Sequence, residues 1–270
     1  MKRSLMKQIL LLTLLAFELF ASVIKTPIIS VDKENNTLTI STKKIDVGVS
    51  GFAVHTIAQD HTSILKNVVV VAFDEKTNIA TLKMMDFNTL RNNALPTGKW
   101  ELAPGDMVEL AFAYSRALLV APSEEIYHQV TKSVNVQWIH PDLFATVLSF
   151  RGHPTPLKED FEAMGIASSV GLLFIYLDKQ VYTIDIQSFK ILTISVAPLM
   201  QDSVKLPFYS RVEKIEANWF GAGSNELEEY EPHYYELLVE YNKQNRQFYE
   251  IIKSGDAKLH YLLEEFELKE

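Results

Sequence analysis

Cysteine is absent from all 270 residues. That absence excludes a lipid-anchored lipoprotein, a disulfide scaffold, a thiol enzyme and a cysteine-ligated zinc site. No Gly-x-Ser-x-Gly elbow and no His-Glu-x-x-His helix occurs in the chain, so two common hydrolase signatures are missing. The fragment GAGSNE, from Gly221, has glycines but neither the preceding strand nor the Lys-Ser/Thr pair of a phosphate loop. No repeat or low-complexity segment is present, and no apolar run reaches the roughly 20 residues of a spanning helix. A chain without these constellations reads as non-enzymatic, and no cofactor is expected.

What is present begins with MKRSLMKQILLLTLLAFELFAS, residues 1 to 22. Lys2, Arg3 and Lys7 precede an apolar run from Ile9 to Phe20, and Ala21-Ser22 offers small residues for cleavage. This is the build of an export signal. Glu18 and the shortness of the run argue for cleavage over retention, so no stable membrane span is expected after processing. Export without disulfides points to the periplasm or outer surface of a Gram-negative type of cell.

The whole chain is 47% hydrophobic and 11% aromatic, enough for a real core. The formal charge of −8 is uneven. Residues 221 to 270 carry twelve acids against five bases, which argues against nucleic acid or anionic lipid as partner.

Between Pro27 and Pro122 the runs TLTI, GVSGFAVHTI, KNVVVVAFDE, IATLKMM, MVELAFA and ALLVAP read as short strands. Turn residues such as Glu34-Asn35-Asn36, Gly48 and Pro104-Gly105-Asp106 separate them. The spacing predicts a small β-barrel or sandwich over residues 23–122, with one helical turn at Asn88 to Leu95. From Ser123 the period changes. SEEIYHQVTKSV, PDLFATVLSF and LKEDFEAMGIASS read as helices, VQWI as a strand, and GLLFIYLD, QVYTIDI and KILTISVA as a three-strand meander. Residues 123–225 are thus expected to form a compact α/β domain whose last part, PFYSRVEKIEANWFGAG, is too apolar for a free linker. Residues 226–270 are expected to be helical, with one amphipathic helix from about Pro232 to Lys253 and a shorter one capped by Asp256. The fold class is therefore α+β.

Three positions invite a chemical reading. Glu124, Glu125 and His128 are spaced to share a helical face. That suits a metal or acid/base site; it equally suits a helix start, with Ser123 as cap and two acids at the positive helix end. A metal site would need a second contributing helix, and His140 and His153 each lie beside proline. His140-Pro141-Asp142 spells the J-domain tripeptide, but Pro141 in a first helical turn explains it more simply. The stretch EYEPHYYELLVEY, from Glu229, can anchor an interface or cover a core. Tyr234, Leu238, Tyr241 and Phe248 are accordingly the candidate binding residues, on C-terminal helices expected to be the docking element for another envelope protein.

Two stretches, LLVAPSEEIYHQV (118 to 130) and PFYSRVEKIEA (207 to 217), resemble the N-terminal domain family of the plasminogen-binding protein PgbA. The order agrees as well: a signal peptide, VGVSGFAVH from Val47, the Ala-Pro-x-x-Glu helix start, then Ser-Arg-Val-Glu. The resemblance covers about residues 27 to 220. It implies an envelope or surface protein that captures host plasminogen, whose kringle modules take a lysine ammonium into an acidic, aromatic-lined cleft. It also implies a Lys/Glu-rich tail after this domain. The sequence at hand ends at Leu268-Lys269-Glu270, and the expected lysine ligand is Lys269 with its neighbouring acids or another exposed lysine.

Overall fold

The computed structural model describes residues 23–58, 61–87, 100–200 and 203–268. The export-signal stretch, the helical turn expected at Asn88 to Leu95, and Lys269 lie outside the described residues. The chain divides into two compact units, one ending at residue 114 and the other running from residue 115 towards the C-terminus.

Alternating runs make the first unit. Strands β1 (Ile24–Asp32), β2 (Thr37–Ser41), β3 (Ser50–Ala58), β4 (His61–Asp74), β5 (Ile79–Asp86) and β6 (Met107–Leu110) close into an antiparallel barrel of order β1-β2-β5-β4-β3-β6. The ring closes where β1 pairs with β6, Ile24 opposite Leu110. Every second side chain points inward, as the two-residue period requires, and Leu38, Ile40, Ala53, Val68, Val70, Leu82 and Val108 fill the interior. A bulge between Val70 and Ala72 bends the long β4, which is how one strand serves two neighbours on a curved wall. Asn36 and Asn78 take left-handed backbone conformations in the hairpin turns, a conformation asparagine tolerates better than most residues.

The second unit is built on a mixed sheet of order β11-β10-β9-β7-β8. Its strands are β7 (Arg116–Val120), β8 (Gln137–Ile139), β9 (Leu172–Leu177), β10 (Gln180–Asp185) and β11 (Ile191–Val196). β7 runs parallel to both β8 and β9, while β9, β10 and β11 form the expected antiparallel meander. Helix α1 (Glu124–Ser133) connects β7 to β8, and α2 (Pro141–Arg151) with α3 (Lys158–Ser168) connects β8 to β9. Helices α4 (Tyr230–Tyr241) and α5 (Arg246–Ser254) and a 3-10 helix (Ala257–Glu265) follow. The fold is α+β: a six-stranded barrel, a mixed sheet and C-terminal helices.

Two boundaries differ from the sequence reading. ALLVAP becomes β7 of the second sheet, so the division falls ahead of Pro122. Ala117, Leu118, Leu119 and Val120 are all buried; a central parallel strand covered on both faces carries no alternation to tell which sheet owns it. The single helix expected from about Pro232 to Lys253 is two. Asn242 breaks it, because its side-chain amide donates to the carbonyls of Phe189 and Leu238 and accepts the N–H of Ile191. Asn245 then caps α5 through the N–H of Phe248.

The core cluster of the second unit that includes the C-terminal helices lies on one face of its sheet. Leu118, Val120, Leu173, Ile175, Tyr182 and Ile184 meet Phe144 and Leu148 of α2, Phe161 and Met164 of α3, and the C-terminal helices. Burial at about 25 cal/mol per Å² of apolar surface makes this layer the main source of stability.

Candidate functional site

Chain order across the second sheet produces one notable place. The connection after β7 leads to β8 on one side, and the connection after β8 leads back past β7 to β9 on the other. In open α/β sheets such a reversal opens a crevice at the carboxyl ends of the strands, where ligands bind. Here those ends are Ala121-Pro122-Ser123 after β7 and His140-Pro141-Asp142 after β8. Ser123 caps α1 by accepting the N–H of Ile126 at 3.3 Å. His140 caps α2, and Pro141 opens its first turn.

The crevice is filled by the chain itself. Residues 205–211 lie across it as a strap. The N–H of Lys205 donates to the carbonyl of Pro122, and that of Tyr209 to the carbonyl of Ala121, each at 2.7 Å. Phe208 is fully buried and stacks on Phe144 with ring centroids 5.3 Å apart. Lys205 Nζ donates to the carbonyl of Ser210, tightening the strap on itself. Arg211 donates to Asp142 twice, from its backbone N–H and from Nε, both at 2.7 Å. The strap then follows α2 to its end. The N–H of Glu216 reaches Ser149 Oγ at 3.2 Å, and Asn218 donates to the carbonyls of Arg151 and Gly152. Gly152 ends α2 in a left-handed conformation, and a Cβ there would fall 2.2 Å from the Asn218 side chain.

A polar and aromatic group rims the strap. Tyr127 lies 5.4 Å from Tyr209 and 5.5 Å from His140, ring centre to ring centre. His140 Nδ1 sits 3.2 Å from the N–H of Asp142 and 3.1 Å from its carboxylate. Burial alone would raise the Asp142 carboxyl. The hydrogen bonds from Arg211 and the charges of His140 and Arg211 outweigh it, and the group is held below its ordinary value. Burial pushes the Tyr127 hydroxyl up, helped by the charge of Asp142. Tyr209 is raised by burial and by its hydrogen bond to Glu124. These shifts leave both phenols protonated and Asp142 ionised at neutral pH.

The residues singled out from sequence fall as follows. Glu124 meets His128 at 3.4 Å, with both side chains more than half exposed. Glu125 turns instead to its own backbone N–H and to the Ser123 hydroxyl, which lower its carboxyl. The three do not converge on one point; the helix-start reading describes them. Tyr234, Leu238 and Phe248 are fully buried and belong to the core. Tyr241 is half-buried, its ring 5.5 Å from Phe189 and beneath the Lys158 ammonium at 5.1 Å. The candidate docking stripe therefore faces inward, because the sheet has no other cover for this part of its apolar face.

Among the described residues, His153, Glu159 and Asp160 bring three potential ligand atoms within 4.8 Å of one another. The Arg151 guanidinium already lies in that group, on Glu159 and on the buried Asp160. Asp160 also accepts the N–H of Leu157 at 2.7 Å. A fixed cation and a helix-start hydrogen bond use its lone pairs, so the arrangement is an ion-pair knot between α2 and α3.

Comparison with known proteins bears on the same segments. The family model described as plasminogen-binding protein pgbA N-terminal matches residues 23–238. The chain belongs to this family. The PgbA N-terminal match begins with β1 and ends inside α4, so it takes in both the LLVAPSEEIYHQV stretch and the strap. Plasminogen-binding protein PgbA from Helicobacter pylori strain J99 / ATCC 700824 is 28% identical over 220 residues, 79% of this chain and 47% of the relative. PgbA from strain ATCC 700392 / 26695 matches at 28% over the same length, covering 46% of the relative. The chain spans about half the length of the curated relatives it matches. No solved structure matches. In PgbA N-terminal terms, the two stretches that carry the family resemblance are spatial neighbours, joined by the Tyr209–Ala121 hydrogen bond. Sequence reading missed the partnership of Asp142 with Arg211; the only hint was the apolar content of the segment containing Arg211.

Proposed function

We propose that this chain is an exported, non-catalytic binding module of the cell envelope. The observation that carries the reading is the strap. The place where a sheet of this type would hold a small substrate is occupied by residues 205–211, leaving the outer surface for recognition. The basic and apolar start of the chain supports export, and PgbA N-terminal membership supports a binding role. No helix among the described residues is long and apolar enough to cross a membrane. Expression of the full chain in a Gram-negative host tests it. The expected result is loss of the first 22 or so residues and recovery outside the cytoplasm, where crosslinking captures a protein partner. An unprocessed chain in the cytoplasm would overturn it.

The name of the relatives supports a second reading, lysine-dependent capture of host plasminogen. Binding of plasminogen to the purified chain should then be competed by 6-aminohexanoate and weakened by Lys269→Ala. Indifference to both removes the mechanism.

A further inference from the structure

The most exposed aromatic side chains of the second unit lie at one end of α2. Phe150 in its last turn is 93% exposed, and Trp219 and Phe220 in the following strap are 99% and 86% exposed. Free aromatic surface of this size is costly to leave in water, and aromatic residues anchor protein interfaces. The backbone presenting them is braced. Asn218 is tied to the carbonyls of Arg151 and Gly152, and the Ser224 hydroxyl donates to Gly221 at 2.6 Å. Beyond it, Thr155 donates its N–H to Gly223 and its hydroxyl to Asn225. A loop already held in place loses little freedom on binding.

Charge selects among occupants. Glu213, Glu216, Glu226, Glu228 and Glu229 flank the aromatic pair in sequence and are exposed; of the nearby bases, Arg211 is paired with Asp142 and Arg151 with Glu159 and Asp160, which leaves Lys214. Among the described residues none of these five acids forms an ion pair. A rim of this sign repels an anionic lipid surface and repels its own copy, and it attracts cations. A lysine or arginine can lie over the indole face while its charge meets the carboxylates.

We propose that loop 218–223, with Phe150 and the acids around it, is a docking surface for a basic, apolar-bearing segment of a partner protein. The inference rests on the reading of the chain as a binding module and gives that reading a surface and a partner chemistry.

The test uses the purified full chain and a fluorescent, amidated peptide alternating lysine with leucine, followed by anisotropy. Its counterpart with glutamate in place of lysine is the comparison. The lysine peptide should bind, and the glutamate peptide at least tenfold more weakly. Binding should fall at least tenfold in the Trp219→Ala, Phe220→Ala double variant, whose melting temperature should match the parent. Reversal of Glu216, Glu226 and Glu228 to lysine should abolish it, while reversal of Glu250, Glu264 and Glu267 should leave it within twofold. Equal loss in the two reversal sets would show unspecific attraction and overturn the proposal. So would undiminished binding by the aromatic variant. Trp219-dependent binding to phosphatidylcholine vesicles without peptide binding assigns the surface to a membrane, and Trp219-dependent dimers in sedimentation assign it to a second copy; either overturns the partner named here. Failure of the peptide test with export intact removes this surface alone, whereas a cytoplasmic chain removes the binding-module reading itself.

Discussion

The backbone N–H of Tyr209 donates to the carbonyl of Ala121 at 2.7 Å, closing the strap over the carboxyl end of β7. A carbonyl at the end of a parallel strand has no ladder partner beyond it, and a buried one left unpaired would cost about 1–3 kcal/mol. The strap supplies that partner and carries Arg211 to Asp142. Its integrity is the first thing to probe.

Asp142→Ala should lower stability by about 1–2 kcal/mol, because it leaves the Arg211 N–H unpaired as well as freeing the guanidinium. Arg211→Ala should cost under about 1 kcal/mol, since its side chain is largely exposed and screened. Urea denaturation at pH 7 distinguishes them, and equal losses would contradict this account. The sign with pH follows from the lowered Asp142 carboxyl. Its contribution is present above the ordinary value of 3.8 and is lost as pH falls through the folded value, so parent and Asp142→Ala should converge in strong acid.

The C-terminal helices should behave as core. Phe248 stacks on Tyr235 with centroids 6.0 Å apart and is fully buried, so Phe248→Ala should cost about 3–5 kcal/mol. Removal of residues 226–270 should expose Tyr182 and Ile184 and give aggregated protein in size-exclusion chromatography. A soluble truncation with an unchanged near-ultraviolet spectrum would reassign these helices as a detachable docking element.

His233 should make stability fall on mild acidification. Its Nε2 donates to the carbonyl of Pro156 at 2.9 Å, and burial holds its imidazole below the ordinary 6.5. A histidine depressed on folding contributes fully above its unfolded value and less as pH falls below it towards the folded value. The melting temperature should therefore drop between pH 7 and 5.5, and His233→Gln should flatten that drop while keeping an N–H donor. An equal slope in both proteins would exclude His233 as the cause.

Gly51→Ala should open the barrel. A Cβ at Gly51 would lie 2.0 Å from the Glu109 carbonyl oxygen and 2.8 Å from Leu110 Cα, both backbone atoms of the paired β6. The strands must part to admit it. Amide exchange along β3 and β6 should accelerate, with the meander β9–β11 unchanged; retained protection in β6 would show that the sheet absorbs the methyl group.

Much of this fold was legible because its signals are local. Alternation located β2 to β6, the runs GLLFIYLD, QVYTIDI and KILTISVA located the meander, and Ser123 and Asp256 marked helix starts that the structure caps with those residues. β7 was assigned to the wrong half because burial on both faces erases its period. The helix break at Asn242 escaped notice because the carbonyls and N–H that draw its amide away lie far off in the chain, at Phe189 and Ile191. The aromatic stripe of α4 was equally ambiguous, since a face that covers a core and a face that binds a partner have the same composition.

Local chemistry settled most strands and helices, several of their caps and turns, and that residues 207–223 are too apolar to float free. Tertiary structure alone decided that those residues seal the crevice between β7 and β8, that Tyr234 and Phe248 point inward, and that Trp219 and Phe220 do not. The physical reason is the same in each case. A side chain's periodicity is set by its own backbone, but its burial depends on which distant surface still lacks a cover when the chain closes on itself.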